Sequence, residues 1–148
     1  MQIAEILTPD RIQCKVVCKS KKDSLDILAK SIANGDASLT QTEVFNCLLA
    51  RERLGSTGLG HGIAIPHGRL KRSNITIAAF LQLKNGINYD AVDQQPVDLL
   101  FALIVPEKAT DEHLQILSRL AEMFSDKKLV DRIRLKSRPA SVYELLTR

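Results

Sequence analysis

The spacing of apolar residues near the N-terminus predicts a short apolar segment followed by a strand. The segment runs from Ile3 to Leu7 and ends at Thr8-Pro9-Asp10, a sequence typical of a turn. From Ile12 to Cys18 apolar and polar residues alternate, as they do in a half-buried strand. This alternation places Cys14 and Cys18 on one face of the predicted strand.

Two helices are predicted next, from about Ser24 to Asn34 and from Thr40 to about Arg53. Apolar residues recur every three to four positions in the first helix, and Asn34-Gly35 is a typical helix end. The second helix begins at Thr40, where Thr40 and Glu43 have the spacing of a capping box.

The middle of the chain is predicted to be a block of strands. Ile63–Ile65 is a short strand, and Ile75–Leu83 is rich in β-branched and apolar residues. Asn85-Gly86 predicts a turn that joins this strand to a short one at Ile87–Tyr89, forming a hairpin. Val97–Val105 is almost entirely apolar, as expected for a central strand buried on both faces.

The last part of the chain returns to helical patterns. Thr110 is predicted to cap a helix whose first turn carries acidic residues. Two shorter helices are predicted at Lys128–Leu135 and Ser141–Leu146. The helix that begins at Thr110 is predicted to have an inner face of Leu114, Leu117, Leu120, Ala121 and Phe124.

These elements together predict an α/β fold, a three-layer α/β/α sandwich with a mixed β-sheet flanked by helices on both faces. The 148 residues, 45% hydrophobic and 26% charged, suffice for one soluble domain with a substantial core. No internal repeat or long linker interrupts the pattern. Residues 1–148 are therefore predicted to form a single domain.

Composition argues against several classes of protein. No apolar run approaches the roughly 20 residues that span a bilayer, and the N-terminus lacks the basic and apolar regions of a secretory signal. Three cysteines, an odd number, argue against a disulfide framework. We therefore expect a cytoplasmic protein in which Cys14, Cys18 and Cys47 are buried small hydrophobes.

The net charge of +4 raises the possibility of a nucleic-acid partner. Basic residues gather at Lys19–Lys22, Arg69–Arg72 and Lys127–Arg138. Neither a reading helix nor stacking aromatic residues accompany them, so no nucleic-acid partner is expected. Solvated surface, a basic rim around an anion site and a docking face for an acidic protein all fit this charge.

Glycines and histidines concentrate in one segment, Gly55–Gly68, which holds five of the seven glycines and two of the three histidines. Glycine permits close backbone approach and positive φ, so the clustering predicts a backbone cradle for a ligand. Our hypothesis is that His67 is a nucleophile and that this segment holds the anion it accepts. The predicted phosphoryl-binding residues of the segment are Gly55, Ser56, Thr57, Gly58, Gly60, Gly62 and Gly68.

Nucleotide and metal sites are weaker interpretations of the same segment. A P-loop needs Lys and then Ser or Thr after its last glycine, but His61-Gly62 follows Gly60. A dinucleotide fingerprint opens a long helix, whereas a short apolar strand is predicted here. His61, His67 and His113 have no carboxylate or cysteine at a familiar ligand spacing, so no metal is expected.

A phosphoryl acceptor fits the histidines better, because neutral imidazole is an abundant nucleophile near neutral pH. A phosphoryl group on nitrogen needs hydrogen-bond donors, which glycine-loop amides and an arginine supply. His113 lies in the first turn of a predicted helix, whose N-terminus favours anions. The residues alone leave a structural role for His67 equally open.

The segment and its surroundings resemble a known signature. Arg51 to Gly68, with Gly55-Ser-Thr-Gly-Leu-Gly60 and Gly62-Ile-Ala-Ile-Pro-His67-Gly68, is similar to the mannitol/fructose-type enzyme IIA domains of the bacterial phosphotransferase system. Within that group, Asp93–Pro106 and the N-terminal Ile6-Leu-Thr-Pro resemble the stand-alone nitrogen-regulatory enzyme IIA. The similarity covers essentially the whole chain and implies a mixed sheet flanked by helices.

The resemblance implies roles for three residues and no cofactor. His67 matches the family's phosphorylated histidine, which accepts the phosphoryl group on Nε2. Arg51 matches the arginine that helps to hold this group, and His113 matches the second active-site histidine. His61 departs from relatives, which often have Asn there, so we expect it to be exposed and non-catalytic. The expected chemistry is in-line transfer between two imidazoles.

The resemblance also implies protein partners. The donor would be an HPr/NPr-like histidine phosphocarrier protein, with phosphoenolpyruvate as the ultimate source. The phosphorylation state of His67 would set binding to regulatory targets such as potassium transporters or sensor kinases. Two alternatives stay open: a sugar-transport enzyme IIA that passes phosphate to a separate IIB, and a non-phosphorylated regulatory adaptor with the same fold.

Overall fold

A computed structural model describes residues 2–148. It contains six helices, one 3₁₀ turn and six strands in the described residues. In chain order they are α1 (Ile3–Ile6), the 3₁₀ turn (Pro9–Arg11), β1 (Ile12–Val16), α2 (Lys21–Asn34), α3 (Gln41–Leu54), β2 (Gly58–Gly60), β3 (Ile63–Ala64), β4 (His67–Leu70), β5 (Ile77–Ile87), β6 (Val97–Pro106), α4 (Thr110–Phe124), α5 (Lys127–Leu135) and α6 (Pro139–Leu146).

The strands form one mixed sheet in the order β1-β5-β6-β3-β2, with β4 also paired to β6. β5 runs antiparallel to β6, whereas β3 and β4 run parallel to it. β3 pairs with Leu99 and Leu100, and β4 follows on the same side of β6 with His67 opposite Leu103. This arrangement sets His67 beside the second half of the central strand.

Two apolar cores cover the two faces of the sheet, which confirms the predicted three-layer arrangement. Phe101 and Leu103 of β6 pack on one side with α1, α4, α5 and α6. Leu100 and Ala102 pack on the other side with α2 and α3. Each fully buried large apolar side chain stabilises the fold by roughly 1.5–3 kcal/mol. Since β6 is covered on both faces, its side chains stabilise both layers.

The predicted hairpin at Asn85-Gly86 is wrong. β5 continues through both residues to Ile87, which pairs with Val97 of β6 after an irregularity in register. A Cβ atom on Gly86 would lie 2.7 Å from the Pro96 Cβ. Gly86 therefore permits close packing against the neighbouring segment and does not form a turn.

The alternation predicted for the first strand is broken by a bulge. Lys15 has a φ of 55°, and the register of β1 against β5 shifts between Gln13 and Val16. The strand ends at Val16, so that Cys14 packs on one core and Cys18 on the other. The prediction that the two cysteines share a face is therefore wrong, because one inserted residue reverses the alternation.

Side-chain caps define the starts of α2 and α3. The Ser20 hydroxyl accepts a hydrogen bond from the Asp23 N–H at 3.1 Å, so α2 begins three residues earlier than predicted. The predicted capping box of α3 is confirmed by reciprocal bonds of 3.2 and 2.8 Å between Thr40 and Glu43.

α4 differs from its prediction in cap and in face. Ala109 occupies the cap position without a side-chain bond, and Thr110 is the first helical residue. The buried residues are Ile116, Leu120 and Phe124, which recur every four positions. Leu114 is 66% exposed and Ala121 is exposed, so the inner face predicted from these two residues is corrected. Among residues 2–148, no helix has the length and apolar content that crossing a membrane requires.

Candidate functional site

A cavity of about 680 Å³ lies where α3, β4 and the start of α4 meet. It brings together Arg51, His67 and His113, the three residues singled out by the sequence. Each comes from a different layer or edge of the sandwich, since α3 covers one face of the sheet and α4 the other. The lining consists of Glu43, Asn46, Cys47, Ala50, Arg51, Leu54, His67, Gly68, Arg69, Leu70 and His113.

His67 opens β4 and is 8% exposed. Its Nδ1 lies 2.7 Å from the carbonyl oxygen of Ile65. A carbonyl oxygen only accepts hydrogen bonds, so Nδ1 carries the hydrogen and donates it. In the neutral ring this leaves the lone pair on Nε2, the nitrogen that remains available to the cavity.

The surroundings of His67 lower its pKa below the ordinary histidine value. Burial is the main cause and the positive charge of Arg51 adds to it, while the hydrogen bond to Ile65 and the charge of Glu52 oppose it. The ring is therefore held neutral at pH 7. A neutral imidazole with a free Nε2 is the nucleophilic form of the side chain.

His113, the fourth residue of α4, meets His67 edge-on. The two ring centroids are 5.2 Å apart and the ring planes form an angle of 71°. Burial lowers the pKa of His113 to about 4, with further contributions from His67, Arg69 and Arg51. Its Nδ1 is buried and has no hydrogen-bond partner in the described residues. Two uncharged imidazoles therefore share the cavity.

Arg51 lies in the last turn of α3 and is half-buried. Its Nη1 donates a hydrogen bond of 2.8 Å to the carbonyl oxygen of Gly55, just past the end of the helix. This bond holds the guanidinium group at the cavity that the histidines line, and its other N–H groups make no hydrogen bond within residues 2–148. A guanidinium held in this way suits the binding of a tetrahedral dianion.

Four glycines of the predicted cradle, Gly55, Gly58, Gly60 and Gly62, do not line the cavity. A Cβ on Gly58 would lie 2.7 Å from the Ala91 Cβ, and one on Gly60 would lie 3.3 Å from an Asp93 carboxylate oxygen. A Cβ on Gly62 would overlap the Arg134 guanidinium. Gly58, Gly60 and Gly62 thus permit close packing against these side chains, and the phosphoryl-binding role of the glycine segment stays a prediction.

The rest of the predicted segment divides between support and lining. Ser56 Oγ donates to the Tyr89 carbonyl and accepts from the Gly58 N–H, and Thr57 is buried. Gly55 contributes its carbonyl to Arg51. Gly68 alone of the predicted segment, apart from His67, lines the cavity.

Arg69 and Cys47 also line the cavity and were not assigned to a site from the sequence. Arg69 is exposed, and its charge lowers the pKa of His113. Its position two residues after His67 in the alternating strand β4 is the sequence signal that places both on one side. Burial raises the pKa of the Cys47 thiol, which lies 3.5 Å from the Arg69 carbonyl oxygen, so its nucleophilic thiolate form is disfavoured.

Sequence reasoning also missed a buried polar network behind the cavity. Glu52 is 6% exposed and accepts hydrogen bonds from Thr57 and from Lys21, whose ammonium lies 4.5 Å from the centre of the buried Tyr89 ring. Val44, Leu48 and Glu52 recur every four residues on the buried face of α3. The signal in the sequence was the helical spacing of Glu52, which places it on the same buried face as Val44 and Leu48.

His61 is exposed and lies away from the cavity, as the sequence predicted for its exposure. It has a φ of 57°, and its backbone is held by the Asp93 carboxylate at 2.9 Å and by Arg134 at 2.7 Å. Within residues 2–148, no group of three or more His, Cys, Asp or Glu side chains is arranged to hold a metal ion.

The fold and the cavity together define a class of protein. A neutral histidine with a free Nε2 lies beside a second neutral histidine and two arginines, in the seam of an α/β sandwich. This combination of nucleophile and cationic donors suits the acceptance of an anionic group on histidine.

A comparison with known protein families shows which family the chain belongs to. The family described as "Phosphoenolpyruvate-dependent sugar phosphotransferase system, EIIA 2" matches residues 5–148, and the chain belongs to it. The protein is thus an EIIA component, which forms part of a phosphotransferase relay.

Individual relatives cover nearly the whole chain. The nitrogen regulatory protein of Escherichia coli (strain K12) is 40% identical over 148 residues, which cover 99% of this chain and 90% of that protein. The structure of nitrogen regulatory protein IIA-Ntr from Neisseria meningitidis is 41% identical, with a TM-score of 0.94 and coverage of 98% and 99%. IIA mannitol from Escherichia coli is 23% identical, with a TM-score of 0.80 and coverage of 95% and 98%, and shares the fold.

Proposed function

We propose that residues 1–148 act as one EIIA domain that accepts a phosphoryl group on Nε2 of His67 from an HPr/NPr-like histidine phosphocarrier protein. The observation that supports this most is the bond between Nδ1 of His67 and the Ile65 carbonyl, which leaves the Nε2 lone pair free. Membership of the EIIA family supports the same chemistry.

The proposed step is an in-line transfer between two imidazoles. The Nε2 lone pair of His67 attacks phosphorus, a new N–P bond forms, and the electron pair of the breaking P–N bond returns to the carrier's imidazole. Arg51 holds the equatorial oxygens while the charge moves, and Arg69 supplies a second positive charge at the cavity. Such a transfer depends mainly on positioning and electrostatics.

His113 is proposed to bind the phosphoryl group that His67 accepts. Its neutral ring meets His67 edge-on at 5.2 Å and carries a buried, unpartnered Nδ1. A phosphoryl dianion on His67 would favour the protonated ring, since an opposite charge stabilises it. His113 then donates a charge-assisted hydrogen bond to the phosphoryl group.

The proposed biological role is regulation, with the phosphorylation state of His67 setting the binding of partner proteins in the cytoplasm. The full-length similarity to nitrogen regulatory proteins supports this role over sugar transport. Targets such as potassium transporters or sensor kinases would bind differently to the cationic cavity and to the cavity that holds a phosphoryl dianion.

Phosphoenolpyruvate, enzyme I and the histidine phosphocarrier protein test the central step. We expect one acid-labile phosphate on His67, complete loss of label in His67→Ala and retained label in His61→Ala, because His61 lies outside the cavity. Label that persists in His67→Ala contradicts the proposal. A folded wild-type protein that takes no label supports the non-phosphorylated adaptor.

A second experiment separates regulation from transport. The labelled protein is mixed with purified IIB proteins of the fructose and mannitol classes, and the loss of label is followed over time. We expect the label to persist. Rapid discharge by one of these proteins would instead identify a sugar-transport enzyme IIA.

A further inference from the structure

We propose that Glu52 is a positioning residue for phosphoryl transfer, and that it holds Arg51 and His67 in register through its hydrogen bonds to Thr57. The inference rests on the proposed function of His67. Glu52 faces away from the cavity lining, so it acts through the backbone that carries the two other residues.

Three donors converge on the Glu52 carboxylate. Its Oε1 accepts the Thr57 N–H at 3.0 Å and the Lys21 ammonium at 3.1 Å. Its Oε2 accepts the Thr57 hydroxyl. A carboxylate accepts all three at once and carries no competing donor, and Glu52 is only 6% exposed. An amide in its place would turn one of these acceptors into a donor, so the contacts of Thr57 would have to rearrange.

One series of hydrogen bonds connects the Glu52 residue to Arg51 through the turn at Gly55. Glu52 and Thr57 pin the two ends of the turn that contains Gly55, and the Glu52 carbonyl also accepts the Gly55 N–H at 3.1 Å. Among residues 2–148, apart from the two chain neighbours of Gly55, nothing lies within 4 Å of the position of a Cβ on Gly55. No packing holds the turn from that side, so we infer that its two ends orient the Gly55 carbonyl. That carbonyl accepts the 2.8 Å bond from Arg51 Nη1.

A second path leads from the same residue to His67. The Thr57 carbonyl accepts the Ile65 N–H at 3.1 Å. The Ile65 carbonyl in turn lies 2.7 Å from Nδ1 of His67 and fixes the tautomer of the ring. Thr57 thus bonds to Glu52 through its N–H and hydroxyl, and to the histidine's support through its carbonyl.

The network behind Glu52 is anchored in the fold. Lys21 opens α2, and the Thr57 hydroxyl lies 3.4 Å from the hydroxyl of the fully buried Tyr89. These contacts join α2, α3 and the segment before β2. The same contacts would exist if Glu52 only stabilised the fold. The test therefore measures the transfer rate and the His67 tautomer as well as stability.

The test compares Glu52→Gln with wild type and with a matched control, Gln82→Ala. Gln82 is equally buried and polar, but it bonds to Lys15, Ile133 and Lys136, away from the cavity. For Glu52→Gln we expect about a 10-fold or greater loss in the rate constant of transfer at saturating carrier, since small misplacements are costly. The KM for the carrier should change little, and Gln82→Ala should lose stability but keep the wild-type rate constant.

A readout on the unphosphorylated protein makes the result independent of the relay. Ring ¹⁵N chemical shifts of His67 report which nitrogen carries the hydrogen. Wild type and Gln82→Ala should show the Nδ1–H tautomer, whereas Glu52→Gln should show a mixture. If Glu52→Gln does not fold, Thr57→Val removes only the hydroxyl bond and should give the same changes in smaller amount.

The outcomes separate the two proposals. If wild type accepts no phosphoryl group, the proposed function fails, while the ¹⁵N shifts still decide whether Glu52 sets the tautomer of His67. If wild type is labelled and the variant keeps both the wild-type rate constant and the wild-type His67 spectrum, Glu52 is only structural. A rate loss shared equally by Gln82→Ala also overturns the positioning role.

Discussion

At the scale of single residues, the candidate site depends on keeping histidine uncharged beside arginine. Burial and the Arg51 charge both lower the pKa of His67, so the nucleophilic form predominates at neutral pH. The same cations that disfavour a proton favour a phosphoryl dianion. Desolvation and the Arg51 charge therefore both keep the Nε2 lone pair free, and the proposed phosphoryl dianion would meet a cationic cavity.

The lowered pKa of His113 predicts a pH dependence of stability. Its pKa is about 4 in the folded protein, against an ordinary value of 6.5. Between these values the unfolded chain binds more protons, so the free energy of unfolding falls as the pH falls from 6.5 towards 4. One proton contributes at most about 1.4 kcal/mol per pH unit, and the half-buried His113 contributes less because solvent screens it.

Urea titrations at several pH values between 4 and 7 measure this slope. Replacing His113 with Gln should flatten it. His67 is present in wild type and in the variant, so its own lowered pKa cancels in the comparison. Equal slopes for wild type and His113→Gln would show that His113 is not held neutral by the fold.

At the scale of secondary-structure elements, α3 approaches the sheet closely at Gly68 in β4. A Cβ on Gly68 would overlap the sulfur of Cys47, which lies one turn before Arg51 on α3. The backbone of Gly68 does not have positive φ, so the space and not the conformation requires glycine. The glycine at position 68 therefore lets α3, which carries Arg51, pack closely against the strand that carries His67.

Gly68→Ala should destabilise the protein by about 1–3 kcal/mol through overpacking. Adding Cys47→Ala should restore part of that loss, because the second change removes the sulfur that the new methyl group meets. Urea unfolding of wild type, both single variants and the double variant gives the coupling energy. Simple additivity of the two changes would contradict the proposed contact.

Local sequence signals predicted those parts of the elements whose causes are local. The capping box of Thr40 and Glu43 is made within one helical turn and was predicted correctly. Gly86 was misread because Asn-Gly is a turn signal, whereas the cause of this glycine is Pro96, ten residues away. The inner face of α4 was shifted because Leu114 is apolar yet exposed beside the cavity.

The candidate site shows the same limit. The resemblance to the enzyme IIA signature pointed to Arg51, His67 and His113, and the structure brings the three together in one cavity. Glu52 escaped notice because Lys21, which pairs with its carboxylate, and Tyr89, which contacts the hydroxyl of Thr57, are both distant in sequence. The glycine segment was assigned to the site as a whole, whereas Gly60 and Gly62 lie against side chains outside the cavity lining, which periodicity does not reveal.

At the scale of the whole molecule, the cavity exists only where three layers meet. Arg51 comes from the α3 layer, His113 from α4 on the opposite face, and His67 from the sheet between them. On the α4 side, Phe80, Phe101 and Phe124 form a cluster with ring centroids 6.2 to 6.4 Å apart. This cluster joins the sheet to the helix that carries His113.

Phe101→Ala should therefore lower the free energy of unfolding by about 3–5 kcal/mol, the usual cost of truncating a buried aromatic residue. Phe101 is fully buried and contacts the rings of both Phe80 and Phe124. The folded fraction in urea is measured by circular dichroism, and the ring signals of His67 and His113 by NMR. If the site forms only with the whole sandwich, all three signals disappear at one urea midpoint, in wild type and in Phe101→Ala alike. Loss of the His113 signal at lower urea would show instead that α4 leaves the sheet first, and the cavity would then be less stable than the fold that frames it.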